Sequence, residues 1–341
     1  MDDSLTIVFG AGASFDCAHP ANSEVDPQYR PPLTKDLFEF RPTFNSILAK
    51  YRRVETLSDD LRSRIQAGES IEDILRQYSS ETTLQLKRQY WEIPFYLQEL
   101  IWEVSLKYVR SGGTRLDTLF RDLVRSQYKR VLLLTLNYDL FIEKALERLF
   151  DVTLESLFND CRTGTDWALV KLHGSVNWGR ELINQPQGTR HIVHILDQLQ
   201  EEPKFASHFE RVPGFEGEYR FCNGKLLYPA LAIPLGETKG FMCPKEHVAR
   251  AKDFLKSCTD FLFIGFSAFD QDFFELFKEV YRIQKLLVVS GNKQTGVEVL
   301  ARMVDRIPGF SPHSIDLPVF VHEGNFSNFV GSGAHKRFFS Q

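Results

Sequence analysis

The sequence predicts an α/β protein, with a doubly wound, mostly parallel sheet and a large helical insertion. Three observations point there. Short, continuously apolar segments recur along the chain: LTIVF at 5–9, RVLLLT at 130–135, ALVKL at 168–172, FLFIG at 261–265 and KLLVVS at 285–290. Stretches of helical periodicity separate them. Most of the segments run out into small or polar residues, as strands do where their carboxyl ends open onto a ligand.

The first strand, residues 5–9, is apolar throughout and suits a parallel sheet buried on both faces. It ends in Gly10-Ala11-Gly12-Ala13-Ser14. Residues 17–32 (CAHPANSEVDPQYRPP) are polar and marked by proline, which predicts a long loop. Helical periodicity then runs from Thr34 to about Gln127. Within it, Ser70 opens a helix, residues 83–110 form a long apolar-periodic run kinked at Pro94, Gly112-Gly113 breaks it, and a further helix spans 115–126. This block interrupts the sheet between its first and second strands. Residues 34–127 are therefore expected to be an insertion, and residues 1–33 with 128–341 the sheet domain. The sheet resumes at 130–135, followed by a helix over 138–150 and a strand at 168–172. Residues 179–225 show no clear period apart from a helix near 191–200. Then come a helix at 244–257, a strand at 261–265, a helix at 270–283, a strand at 285–290, a helix at 296–306 and a last strand at 319–322.

Composition narrows the class of function. The 341 residues include 41 basic and 45 acidic side chains, a net charge of −4, so no global field favours nucleic acid or an anionic membrane. No apolar run approaches the ~18 residues of a membrane helix. The start, MDDSLTIVFG, has acids where a signal peptide has basic residues. The five cysteines (Cys17, Cys161, Cys222, Cys243, Cys258) are odd in number, widely spaced and without a CxxC pair, which argues against a disulfide framework and excludes a zinc ribbon. Cytoplasmic residence is the expectation. The 29 phenylalanines predict an aromatic core.

The strand exits carry the chemistry. The first delivers GAGAS, whose small residues let backbone N–H groups approach a phosphate, although a tight strand-to-helix turn needs the same residues. The second delivers Asn137 and Asp139 in TLNYD, either of which could simply cap the following helix. The third delivers His173 in KLHGS, a titratable imidazole beside a glycine. The fourth delivers Gly265 and Ser267 in GFS, and the fifth Asn292 in SGN. Packing alone does not account for the whole set.

Taken in order, these segments resemble the sirtuin family, over residues 5 to about 292. GAGAS matches the family's phosphate loop, TLNYD its TQNxD segment, KLHGS the LHGS segment that carries its catalytic histidine, GFS its GTS segment, and SGN the turn bearing its adenosine-ribose asparagine. The fold implied is a Rossmann-like, sirtuin-like sheet. Deacylating sirtuins carry a four-cysteine zinc module after LHGS, whereas residues 179–225 hold only Cys222, with His191, His194 and His208 irregularly spaced nearby. No zinc module and no metal are expected. The chain therefore looks more like the zinc-free, sirtuin-like NAD hydrolases of bacterial antiphage defence systems.

That resemblance implies NAD as substrate and cleavage of its nicotinamide–ribose bond to nicotinamide and ADP-ribose. It places the pyrophosphate at Gly10, Ala11 and Gly12 with Ser14 near, and Asp16 as an extra contact. Asn137 would orient the ribose or the attacking water, Asp139 would contact the carboxamide region, and His173 would be the general base. Gly265, Ser267 and Asn292 would line the adenosine side. It also implies restraint until triggered, through a homo-oligomer or a regulatory protein such as an ATPase or an Argonaute-like protein. The alternatives are an NAD-dependent protein deacylase and a non-catalytic subunit that senses NAD or ADP-ribose.

Overall fold

The structure, a computed structural model, describes residues 3–18, 25–80, 83–108, 113–163, 166–188, 191–214, 220–233, 241–310 and 320–340. Its strands are β1 (Ser4–Phe9), β2 (Arg130–Thr135), β3 (Trp167–Lys171), β4 (Gly174–Glu181), β5 (Glu210–Arg211), β6 (Phe221–Cys222), β7 (Lys225–Leu231), β8 (Asp260–Ile264), β9 (Lys285–Ser290) and β10 (Val321–Glu323). The chain divides into two compact units. The first holds residues 1–25, 109–172 and 245–341, and the second residues 26–108 and 173–244.

The first unit is built on a six-stranded parallel sheet of order β10-β9-β8-β1-β2-β3. From β1 the chain builds outward to β2 and β3 on one side, then returns to β8, β9 and β10 on the other. This is the doubly wound, Rossmann-type order that the alternating pattern predicts. Every residue of β1, β3 and β8 is buried, so helices cover both faces, which is why these strands are mostly apolar, with Ser4, Thr6, Lys171 and Asp260 the exceptions. Helix Lys245–Leu255 packs on β2 and β3, and helix Lys293–Val304 on β9 and β10. The expected aromatic core is present: the buried rings of Phe266, Phe273 and Phe277 lie 4.6 Å apart in succession, with Phe263 5.8 Å from Phe266.

The second unit contains helices Pro42–Leu48, Arg52–Gln66, Ile71–Ser79 and Leu84–Lys107, then an antiparallel sheet of order β5-β4-β7-β6. Helix Leu84–Lys107 runs through Pro94 and is buried on all sides from Tyr90 to Trp102. It packs on β4 and β7. Gln98 Nε2 donates to the Val176 carbonyl at 2.9 Å, Tyr228 donates to the Trp91 carbonyl at 2.7 Å, and the Phe95 and Tyr228 rings meet edge to face. Two buried glutamates on this helix tie down the start of helix Arg52–Gln66. Glu92 accepts from the Arg53 and Val54 amides, and Glu99 from the Tyr51 hydroxyl at 2.6 Å.

Several boundaries differ from the sequence expectation. The compact unit is not 34–127: it runs from Asp26 to Tyr108 and includes 173–244, because the long helix buries its apolar surface on β4 and β7, while residues 113–127 fall in the first unit. The stretch 179–225 holds, besides helix Ile192–Gln198, the end of β4 and the two-residue strands β5 and β6, too short to show a period, and the β4–β7 register shifts between Gly174 and Gly179. The helix expected from 138 begins at Phe141, and the one expected at 270–283 ends at Phe277. The helix expected at 296 starts at Lys293. The last strand is Val321–Glu323, position 319 lying outside the described residues, and two short Phe-bearing helices, Asn325–Gly331 and Ala334–Ser340, follow it. Among the described residues no helix is long and apolar enough to cross a membrane.

Candidate functional site

β1 ends at Phe9, and the chain turns at Gly10 into the short helix Ala11–Phe15. This turn lies against the exit of β8, where the order of the sheet reverses, the place where doubly wound sheets bind ligands. The Gly10 amide donates to the Ile264 carbonyl at 3.0 Å, and the Gly12 amide to the Gly265 carbonyl at 3.1 Å. No side chain fits between them. A Cβ on Gly10 would stand 2.4 Å from the Gly265 oxygen, and one on Gly265, where φ is +60°, would stand 2.3 Å from the Ala13 nitrogen. The glycines are thus required by the close approach of two strand exits. Two of the amides expected to face a pyrophosphate are committed to that contact.

The exit of β2 joins the same turn. Asn137 Nδ2 donates to the Gly10 carbonyl at 2.9 Å and to Ser14 Oγ at 2.8 Å. Ser14 Oγ donates in turn to Asp139 Oδ2 at 2.6 Å, and Asp139 Oδ1 accepts from the Phe141 amide at 3.2 Å. Asp139 therefore both holds Ser14 and supports the helix start, while Asn137 is no helix cap. The Asn137 amide donates to Thr135 Oγ1, which itself donates to the Phe9 carbonyl. Ser14 and Asp139 are buried and Asn137 is half-buried. Because both Nδ2 hydrogens are committed, Asn137 has its Oδ1, an acceptor, to offer a ligand. A hydroxyl or a water suits it. Beneath this set lies Cys17, whose thiol is pushed well up by burial and by the Asp139 and Asp16 carboxylates, and so is held as an unreactive thiol.

Sequence reasoning missed two residues here. Lys171 at the end of β3 donates to Glu143 Oε1 at 2.7 Å and to the backbone carbonyl of Asp139. The available signal was a lysine in an otherwise apolar strand, WALVK.

The remaining predicted residues divide. Asn292 caps helix Lys293–Val304, its Oδ1 accepting from the Thr295 amide at 2.8 Å. Ser267 is exposed beyond the Gly265 turn, its carbonyl accepting from Arg302. Asp16 ties the loop to helix Asn325–Gly331, its Oδ2 accepting from the Ser327 amide at 2.6 Å. His173 is half-buried and opens the second unit, its carbonyl accepting from the Ala232 amide at 2.8 Å. Gly174 beside it is forced: φ is +88° and a Cβ would lie 1.8 Å from the Ala230 oxygen. The structure thus brings Gly10, Ala11, Gly12, Ser14, Asn137, Asp139 and Gly265 together in the first unit, with His173 in the other unit. The His191 and His194 rings are 5.2 Å apart, and among the described residues no group of three His, Cys, Asp or Glu could hold a metal ion.

Neither a family model nor a curated protein matches the chain. Solved structures do. The chain is similar to a Sir2 homologue crystallised with NAD, at 15% identity over 98% of this chain and 89% of that one, with a TM-score of 0.42. It is similar to a mutant Sir2 homologue in complex with ADP-ribose, at 14% identity over 98% and 92% of the two chains, with a TM-score of 0.41. A third is a Sir2 enzyme at 12% identity over 99% and 92%, with a TM-score of 0.40.

Proposed function

We propose that the protein is an NAD+ glycohydrolase that releases nicotinamide and ADP-ribose. The observation that carries this reading is the hydrogen-bonded set Gly10, Ser14, Asn137 and Asp139 at the exits of β1 and β2, beside the glycine exit of β8. It occupies the sheet's reversal point, and its motifs are those that resemble the sirtuin phosphate loop and TQNxD segment. The residues fit a dinucleotide. Asn137 presents an acceptor suited to a ribose hydroxyl or a water, beside a glycine turn whose Gly10 and Gly12 amides are committed to the β8 exit.

Cleavage of the nicotinamide–ribose bond resembles glycoside hydrolysis, except that the leaving group departs neutral and needs no acid. The protein's work is then to hold the dinucleotide, orient the ribose and activate the nucleophile. In this reading Asn137 Oδ1 orients the ribose or the water, Asp139 lies on the carboxamide side, and His173 is the base. Gly265, Ser267 and Asn292 face the adenosine. By the sequence's resemblance to the zinc-free, sirtuin-like NAD hydrolases of antiphage defence, the activity is that of an effector that depletes NAD, held in check by self-assembly or a regulatory protein.

The test is incubation of purified protein with NAD, with and without an acetyl-lysine peptide. Nicotinamide release independent of peptide supports hydrolysis. Release only with peptide makes the chain a deacylase, and tight NAD binding without release makes it a sensor.

A further inference from the structure

One ionic pair buried in the first unit touches the site. Lys171 is 2% exposed and Glu143, in the first turn of helix Phe141–Phe150, is 4% exposed. Lys171 Nζ donates to Glu143 Oε1 at 2.7 Å and to the backbone carbonyl of Asp139. Such pairs stabilise a fold poorly, because well-packed apolar side chains of the same volume do as well or better. This one is not even fully satisfied: among the described residues Glu143 Oε2 has no hydrogen-bond partner. Burial pushes the Glu143 carboxyl up, while the Lys171 ammonium opposes it. The pair is thus a poor core element placed under the loop whose side chains form the site.

We propose that Lys171, anchored by Glu143, is a positioning residue, and that its bond to the Asp139 carbonyl fixes the Asn137–Asp139 loop so that the Asp139 carboxylate meets Ser14 and Ser14 meets Asn137. The chain of contacts is continuous: Glu143 to Lys171, Lys171 to the Asp139 backbone, Asp139 Oδ2 to Ser14 Oγ, and Ser14 Oγ to Asn137 Nδ2. The ammonium suits this task better than an apolar side chain, since it can hold a backbone carbonyl and a carboxylate at once. The inference rests on the proposed NAD cleavage for one of its two readouts.

The test compares Lys171→Met with the double variant Lys171→Met/Glu143→Leu. The single variant leaves a buried carboxyl without its partner and is expected to lose stability. The double variant removes both charges and is expected to regain most of it. The proposal predicts that the double variant still cleaves NAD about tenfold or more slowly in kcat, with KM little changed, because the loop has lost its anchor. It also predicts that the side-chain amide resonance of Asn137, read by NMR on asparagine-labelled protein, moves in the double variant. A double variant that does not fold, that keeps the wild-type kcat, or that leaves this resonance in place overturns the proposal. If the wild-type protein leaves NAD intact, the proposed function fails, and the Asn137 resonance alone decides the positioning role.

Discussion

Replacing Gly10 by alanine probes the contact on which the site is built. The residue has φ near −103°, which alanine adopts freely, so on backbone grounds alone the change would stabilise the protein by about 0.4–1 kcal/mol. The structure reverses that sign. The new Cβ would meet the Gly265 oxygen at 2.4 Å and the Phe266 Cα at 2.7 Å, both backbone atoms that cannot rotate away. The two turns must part, and with them the Gly10–Ile264 and Gly12–Gly265 hydrogen bonds at 3.0 and 3.1 Å. Each bond contributes about 0.5–1.5 kcal/mol and overpacking costs about 1–3 kcal/mol, so a net loss of about 2–4 kcal/mol is expected. Urea unfolding followed by tryptophan fluorescence measures it, and an unchanged m-value would place the effect in the folded state. A variant as stable as the parent, or more so, would show that β1 and β8 do not meet in this way, and the account of the turn would fall.

Ser14→Ala removes the bridge between Asn137 and Asp139 and leaves a buried carboxylate oxygen unpaired, so a loss of about 1–3 kcal/mol is expected; calorimetry showing no change would contradict the bonding described. Asn292→Ala should lower stability by about 1 kcal/mol through loss of its cap, and raise KM for NAD with kcat held; an unchanged KM would confine Asn292 to capping. Asp117 gives a pH prediction. Burial pushes its carboxyl up, but Arg148 and the Thr114 amide and hydroxyl outweigh this and hold it below the usual range. A carboxyl lowered on folding contributes stability above its unfolded value of about 3.9, and that stability is lost as pH falls through the folded one. Asp117→Asn should therefore cost about 1–3 kcal/mol at pH 7 and progressively less in acid below that value; an equal cost at both pH values would refute the coupling.

Most of the sheet was legible because its central strands are buried on both faces and so are rich in apolar residues, as RVLLLT is after its first position. The glycine turn was legible as a turn, but not its reason. That Gly10 and Gly12 give up their amides to the β8 exit depends on a partner some 250 residues away, which no local pattern records. Asn137 and Asp139 were visible as polar residues after a buried strand, yet their separate tasks required coordinates. One looks inward to Gly10 and Ser14, while the other supports the next helix. Asn292 turned out to have the capping role that its residue type alone suggests. The antiparallel sheet of the second unit was hidden for a physical reason: β5 and β6 have two residues each, and β4 and β7, though longer, are buried along most of their length and so show no alternation of period two.

The central proposal is that the protein breaks the nicotinamide–ribose bond of NAD and needs Asn137 and His173 to do so. The most direct measurement is the rate of nicotinamide and ADP-ribose formation from NAD by the purified protein beside its His173→Ala and Asn137→Ala variants, each first shown to be folded. The account predicts stoichiometric release of both products by the parent and a fall of about 100-fold or more in each variant. Folded variants that turn over NAD at the parent's rate, or a parent that leaves NAD intact, would contradict it.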